Sequence, residues 1–128
     1  MPGFRPKVLI VDDEADARSA LARTLKGKGY DIVEAGTGAE VLGRAKAEWP
    51  ALIILDIILP DIPGTEVLKN LRADPITKSI PVLLLTAKPE VLDRVPSFSG
   101  TSDRYFEKPG RIEDLVKTVH DMLTGKRF

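Results

Sequence analysis

ALIILDIILPDIPG, residues Ala51–Gly64, sends a run of aliphatic residues into one carboxylate, Asp56, before more aliphatics and two prolines. An unbroken apolar run, as opposed to an alternating one, belongs to a strand covered on both faces. Ala51–Leu55 therefore reads as a central strand of a parallel sheet, with Asp56 at its exit. Two similar runs flank it, Val8–Val11 on one side and IPVLLLT on the other. The latter carries Pro81 at its start, where a missing N–H costs least.

Between these strands the apolar period changes to that of helices. DEADARSALARTLKGKG places Ala17, Ala20, Leu21 and Leu25 on one face, and Gly27 and Gly29 supply a stop. TGAEVLGRAKAEW predicts a second helix closed by Pro50, and GTEVLKNLRAD a third ended before Pro75. IEDLVKTVHDMLTG predicts a final one, with Ile112, Leu115, Val119 and Met122 or Leu123 facing inward. YDIVEA suits a strand nearer the edge, and RYFEK a short fifth strand. Strands alternating with helices predict a doubly wound α/β domain with a five-stranded parallel sheet. The segment Ala87–Arg104 breaks the pattern, because Pro96 and a Ser/Gly/Thr cluster leave room only for an irregular helix near Pro89–Val95. Trp49 and Tyr30 read as packing residues, and His120 as a surface residue of the last helix.

Composition narrows the chemistry. The chain has 128 residues, enough for one domain with a real core, and 19 basic residues balance 19 acidic ones. That balance predicts no direct nucleic-acid binding. The absence of Cys and the single His exclude disulfides, thiol nucleophiles and Cys- or His-rich metal sites. The apolar run near the N-terminus is too short for a membrane span or a signal peptide, so a cytoplasmic protein with no membrane partner is expected.

Chemistry in an open parallel sheet gathers at the carboxyl ends of its strands. The first strand exits into Asp12 and Asp13, the third into Asp56, the fourth into Thr86 and the fifth into Lys108. Each has a plain alternative: Asp12 and Asp13 as acids at a helix N-terminus, Asp56 as a turn acid, Lys108 as a solvated charge. Their conjunction on one rim points to more. Three crowded acids call for a cation, and a hard, oxygen-seeking Mg²⁺ suits carboxylates in the absence of His and Cys. A cation, an ammonium and a hydroxyl form a receptacle for a phosphoryl group, with a carboxylate as nucleophile.

VLIVDDE (Val8–Glu14), ILDIILPDIPG (Ile54–Gly64), VLLLTA (Val82–Ala87) and YFEKP (Tyr105–Pro109) resemble, in order and spacing, the receiver domain of bacterial two-component response regulators. The resemblance is to the chemotaxis-regulator type and covers about residues 6–124 of a single domain, 1–128. It implies a flavodoxin-like (βα)5 fold with strand order 2-1-3-4-5. It also implies phosphorylation of Asp56 by a sensor histidine kinase or a phosphotransfer protein. Mg²⁺ would be held by Asp13, Asp56 and the Ile58 carbonyl, with Asp12 acting mostly through water. Lys108 and Thr86 would meet the phosphoryl oxygens, and Tyr105 would swing inward to switch an output partner or attached output domain. The domain would catalyse only its own phosphorylation and dephosphorylation.

The chain departs from the family pattern at Thr101–Arg104, at Pro96 and at Gly110, where a hydrophobe is frequent. Ile58 and Lys88 hold places that influence hydrolysis of the acyl phosphate, and bulky Ile58 is expected to slow it. A phosphohydrolase would carry a second acid at position 58, where this chain has Ile, and a flavin carrier would not place DDEAD where a phosphate must sit. A non-phosphorylated pseudo-receiver scaffold is the alternative function. Whether the domain stands alone or belongs to a longer regulator or hybrid kinase is left open by the sequence.

Overall fold

The computed structural model describes residues 5–87 and 103–125. The elements run β1 (Lys7–Val11), α1 (Ala15–Gly27), β2 (Asp31–Ala35), a 3-10 turn (Gly38–Glu40), α2 (Val41–Glu48), β3 (Leu52–Asp56), α3 (Gly64–Ala73), β4 (Val82–Thr86), β5 (Arg104–Glu107) and α4 (Ile112–Thr124). All strand pairs are parallel, in the order β2-β1-β3-β4-β5. The predicted sheet and its order are thus observed, with YDIVEA at the edge. The expected irregular helix, Pro96 and Lys88 lie outside the described residues.

The unbroken apolar runs are explained by the two faces they fill. Leu9, Val11, Ile53, Leu55, Val82 and Leu84 pack with Val41, Ala45, Val67, Leu68 and Leu71 of α2 and α3. Their chain neighbours Val8, Ile10, Leu52, Ile54, Leu83 and Leu85 point the other way, to Leu21, Ala22 and Leu25 of α1 and to Leu115 and Val119 of α4. Both faces of β1, β3 and β4 are therefore desolvated, and each fully buried aliphatic side chain contributes on the order of 1.5–3 kcal/mol.

Local sequence accounts for the helix ends. Lys28 and Gly29 close α1 through N–H bonds to Leu25 and Lys26, and Gly29 adopts φ 98°, which glycine reaches without strain. α2 stops because Pro50 disfavours helical geometry at Trp49, which takes φ 53° and donates its N–H to the Ala45 carbonyl. That turn carries the indole away from the core. Trp49 is 72% exposed, which corrects its expected packing role. Tyr30 is buried as expected, and its hydroxyl lies 3.1 Å from Nδ1 of exposed His120.

Gly110 lies against the Phe106 ring. A Cβ there would come within 2.6 Å of Phe106 Cζ, so the ring already fills the space a side chain would need.

Candidate functional site

Parallel register brings the predicted residues to one rim. Val11 pairs with Leu55, so Asp12 and Asp56 are the next residues out on adjacent strands. Asp56 pairs with Leu85, and Thr86 with Glu107, which leaves Thr86 and Lys108 beside them. The Lys108 N–H donates to the Thr86 carbonyl at 2.8 Å, fixing where its side chain starts.

Carboxylate oxygens of Asp12, Asp13 and Asp56 lie within 4.8 Å of one another. Asp56 is buried, Asp12 half-buried and Asp13 exposed. Asp56 Oδ2 accepts from Lys108 Nζ at 2.9 Å, while Oδ1 accepts the Ile58 N–H at 3.0 Å. Asp12 Oδ1 accepts the Glu14 N–H at 2.9 Å, a turn that precedes α1. The helix-end reading of Asp12 is therefore partly met, without exhausting its charge. Burial pushes the Asp12 carboxyl above its ordinary pKa, with Asp56 and Asp13 adding to the rise against the Glu14 N–H and Lys108. Three carboxylates answered by the one ammonium of Lys108 are a hard oxygen donor set that fits a divalent cation such as Mg²⁺.

Beside Asp56 opens a cavity of about 440 Å³, lined by Asp56, Ile58, Leu85, Thr86 and Lys108 among others. It gives a phosphoryl group room next to the carboxylate, the ammonium and Thr86. Ile58 is 77% exposed, its side chain directed away from the core. Tyr105 on β5 is 48% exposed, and pairs in register with Leu84.

Several residues that shape this rim were not singled out in the sequence. Gly64 opens α3, and its N–H donates to the Ile57 carbonyl at 2.6 Å. A Cβ on Gly64 would lie 2.7 Å from the Ile57 Cα and closer still to the Asp56 carbonyl oxygen. Only glycine lets α3 start so near the strand end, and its place after Pro63 was the available signal. Arg18 of α1 donates to the Asp12 carbonyl at 2.6 Å and to Glu34 at 3.0 Å, tying the acidic turn to the edge strand. Asp61 accepts the Gly38 and Ala39 N–H groups at 2.9 and 2.8 Å, linking the loop after Asp56 to the turn before α2.

Residues 8–120 match the response regulator receiver domain family. This chain is a receiver domain of that family. The PhoP transcriptional regulator of alkaline phosphatase synthesis from Bacillus subtilis is 42% identical over 117 residues, covering 91% of this chain and 48% of the relative. The probable transcriptional regulator TcrX of Mycobacterium tuberculosis is 37% identical over 91% of this chain and 49% of its own length. The receiver domain thus spans about half the length of these curated relatives. Among solved structures, chemotaxis response regulator CheY4 of Vibrio cholerae superposes with a TM-score of 0.83 at 31% identity, covering 93% of this chain and 99% of the other. The receiver domain of the hybrid histidine kinase CckA gives 0.74 at 30% identity, covering 91% and 98%. Like its family, this receiver domain is a phosphoacceptor signalling module, distinct from a conventional enzyme. The pseudo-receiver alternative, which rests on a missing acid or lysine, finds no support in a rim that has them all. No helix among the described residues is long and apolar enough to cross a membrane.

Proposed function

We propose that Asp56 is the phosphoacceptor, taking its phosphoryl group from a histidine kinase or a phosphotransfer protein. The observation that carries this is a buried carboxylate flanked by two acids within 4.8 Å, an ammonium at 2.9 Å and an adjoining cavity. An Asp56 oxygen attacks phosphorus, the new P–O bond forms as the donor's P–N bond breaks, and the donor imidazole leaves with that electron pair. Lys108 Nζ shifts from Asp56 Oδ2 to a phosphoryl oxygen, and the Thr86 hydroxyl meets another.

Asp13, Asp56 and the Ile58 carbonyl would hold Mg²⁺, with Asp12 assisting mostly through water. When bound, Mg²⁺ supplies positive charge against the phosphoryl oxygens. The domain accelerates only its own phosphorylation and the later hydrolysis. Ile58 covers the approach to the acyl phosphate and slows that hydrolysis, so Ile58→Asn should shorten the phosphorylated lifetime in a time-resolved phosphate-release assay. An unchanged lifetime would remove Ile58 from this role.

Phosphorylation adds about −1.5 to −2 charges at the rim. Thr86 then draws inward and Tyr105 follows, which changes the surface offered to an output partner. We place residues 1–128 in a single cytoplasmic receiver domain, with a core of about 6–124. Its neutral charge balance supports signalling through a protein partner or an attached output domain, without direct nucleic-acid contact. Relatives named as DNA-binding response regulators are about twice as long, which leaves room in them for such a domain.

The test is incubation with Mg²⁺ and acetyl phosphate, read by intact-mass spectrometry. One phosphoryl group should be gained, and none by Asp56→Ala. No gain by the wild type, with beryllofluoride also failing to bind, would reinstate the scaffold reading.

A further inference from the structure

The return loop from Asp56 to α3 is firmly held at its two ends. At the start, the Ile57 N–H donates to the Leu85 carbonyl at 3.1 Å and the Ile58 N–H to Asp56 at 3.0 Å. At the end, the Gly64 N–H donates to the Ile57 carbonyl at 2.6 Å. The middle has fewer means of attachment. Pro60 and Pro63 have no N–H to donate. Ile58, mostly exposed, does not anchor its own peptide by packing.

Leu59 and Ile62 pack against the core, and Asp61 between them adds the loop's polar anchor. Its two carboxylate oxygens take one N–H each, from Gly38 at 2.9 Å and Ala39 at 2.8 Å, reaching a turn 23 and 22 residues upstream. A bidentate grip of this kind fixes orientation as well as position, since each oxygen has its own donor. Ile62, the next residue, packs so tightly on Gly38 that a Cβ there would lie 2.5 Å from Ile62 Cγ1. The Asp61 carboxyl is held below the ordinary aspartate range, chiefly by the Gly38 N–H bond, as expected for a carboxylate fixed in its charged form.

We infer that Asp61 is a positioning residue for the metal site: by clamping the loop to the turn before α2, it keeps the Ile58 carbonyl aimed at the cation. Asp61 stands three residues from that carbonyl, and its carboxylate oxygens are taken up by the Gly38 and Ala39 N–H groups. The inference rests on the reading of Ile58 as a backbone ligand. Its signature is a change in Mg²⁺ affinity with little change in the acidic cluster itself.

The experiment is calorimetric titration of the full chain with Mg²⁺ alone, at a temperature where every variant is folded by circular dichroism. Asp61→Ala should weaken Mg²⁺ binding about tenfold, the scale on which groups supporting metal ligands act. Asp61→Asn, which keeps one acceptor oxygen, should fall between it and wild type. Ile62→Ala removes the neighbouring packing while sparing both hydrogen bonds, and should lower the melting temperature with Mg²⁺ affinity nearly unchanged. At saturating Mg²⁺ the rate of phosphorylation by acetyl phosphate should recover in Asp61→Ala. Wild-type affinity in Asp61→Ala would overturn the inference, as would an equal loss in Ile62→Ala, which would mark general loosening. A wild type that binds no Mg²⁺ would overturn the metal reading itself and the inference with it.

Discussion

Asp56 and Asp103, two of the buried aspartates among the described residues, each have a cationic partner from a distant part of the chain, and only one is suited to chemistry. Asp56 leaves the carboxyl end of β3 and pairs with Lys108 at 2.9 Å. Asp103 stands just before β5 and pairs with Arg72 of α3 while accepting the Val82 N–H at 2.9 Å. Their cations differ in exposure: the Lys108 side chain is 43% exposed and that of Arg72 15%. A lysine ammonium on a flexible stem, facing a cavity, can transfer to an incoming phosphoryl group. An arginine fork, which also donates to the Lys78 carbonyl, is locked in place. The first pair leaves the acid available, whereas the second consumes it to join the starts of β4 and β5 to the end of α3.

The sharpest way to break this comparison is to remove each cation in turn. Arg72→Met removes the cation packed against buried Asp103, and should cost about 3–5 kcal/mol in a denaturant titration. Lys108→Met should cost less, because the lysine is 43% exposed and the cavity beside Asp56 lets water take its place. It should nevertheless abolish rapid phosphorylation by acetyl phosphate. Equal destabilisation by the two variants would show that the pairs have the same structural role.

A smaller effect separates the packed frame of the rim from its open interior. Gly64→Ala forces a methyl group into the backbone of Asp56 and Ile57, and should cost about 1–3 kcal/mol with slower phosphorylation. Gly43, inside α2, has open space where a Cβ would sit. Gly43→Ala should therefore stabilise the domain by about 0.5–1 kcal/mol through helix propensity and leave phosphorylation unchanged. The pair of melting curves distinguishes a glycine required by close approach from one that is incidental.

The same contrast explains what could be read in advance. Asp12, Asp13, Asp56, Thr86 and Lys108 were legible because each follows a recognisable strand, and parallel register carries strand ends to one rim. Asp103 was noticed only as part of an unusual stretch before Tyr105. Its partner Arg72 lies 31 residues upstream, and no local pattern reports such a pairing. The Asp61 clamp was hidden for the same reason, its donors being backbone N–H groups of a turn in another unit. Trp49 misled because ring size suggests burial, whereas the conformation imposed by Pro50 decided its direction. Long-range polar partners and backbone-directed side chains are the features that a period of apolar residues does not encode.

The smallest predicted effect concerns how the two halves of the rim respond to pH, with opposite signs. The carboxyl of Glu40 is lowered, chiefly by the Thr37 hydroxyl, and that of Asp61 chiefly by the Gly38 N–H. A carboxyl whose folded pKa is depressed stabilises the fold above its unfolded value, about 3.9–4.3 for such groups, and that contribution is lost as pH falls through the folded value. Asp12 behaves inversely, since burial raises its pKa. Its contribution is present below the unfolded value and is lost as pH rises through the folded one. Without Mg²⁺, Asp12→Asn should therefore raise stability at neutral pH, by up to about 1 kcal/mol for so partly exposed a group. The amide oxygen can still accept the Glu14 N–H, so the local turn is retained. The gain should fade as pH falls through the unfolded value of about 3.9, below which the wild-type carboxyl becomes protonated in both states. Asp61→Ala should destabilise at neutral pH and lose that penalty on acidification through the folded pKa. Melting temperatures from pH 2.5 to 7.5 check both; a neutral-pH loss in Asp12→Asn would mean that the acid is already compensated, and that the rim is less poised for a cation than its geometry implies.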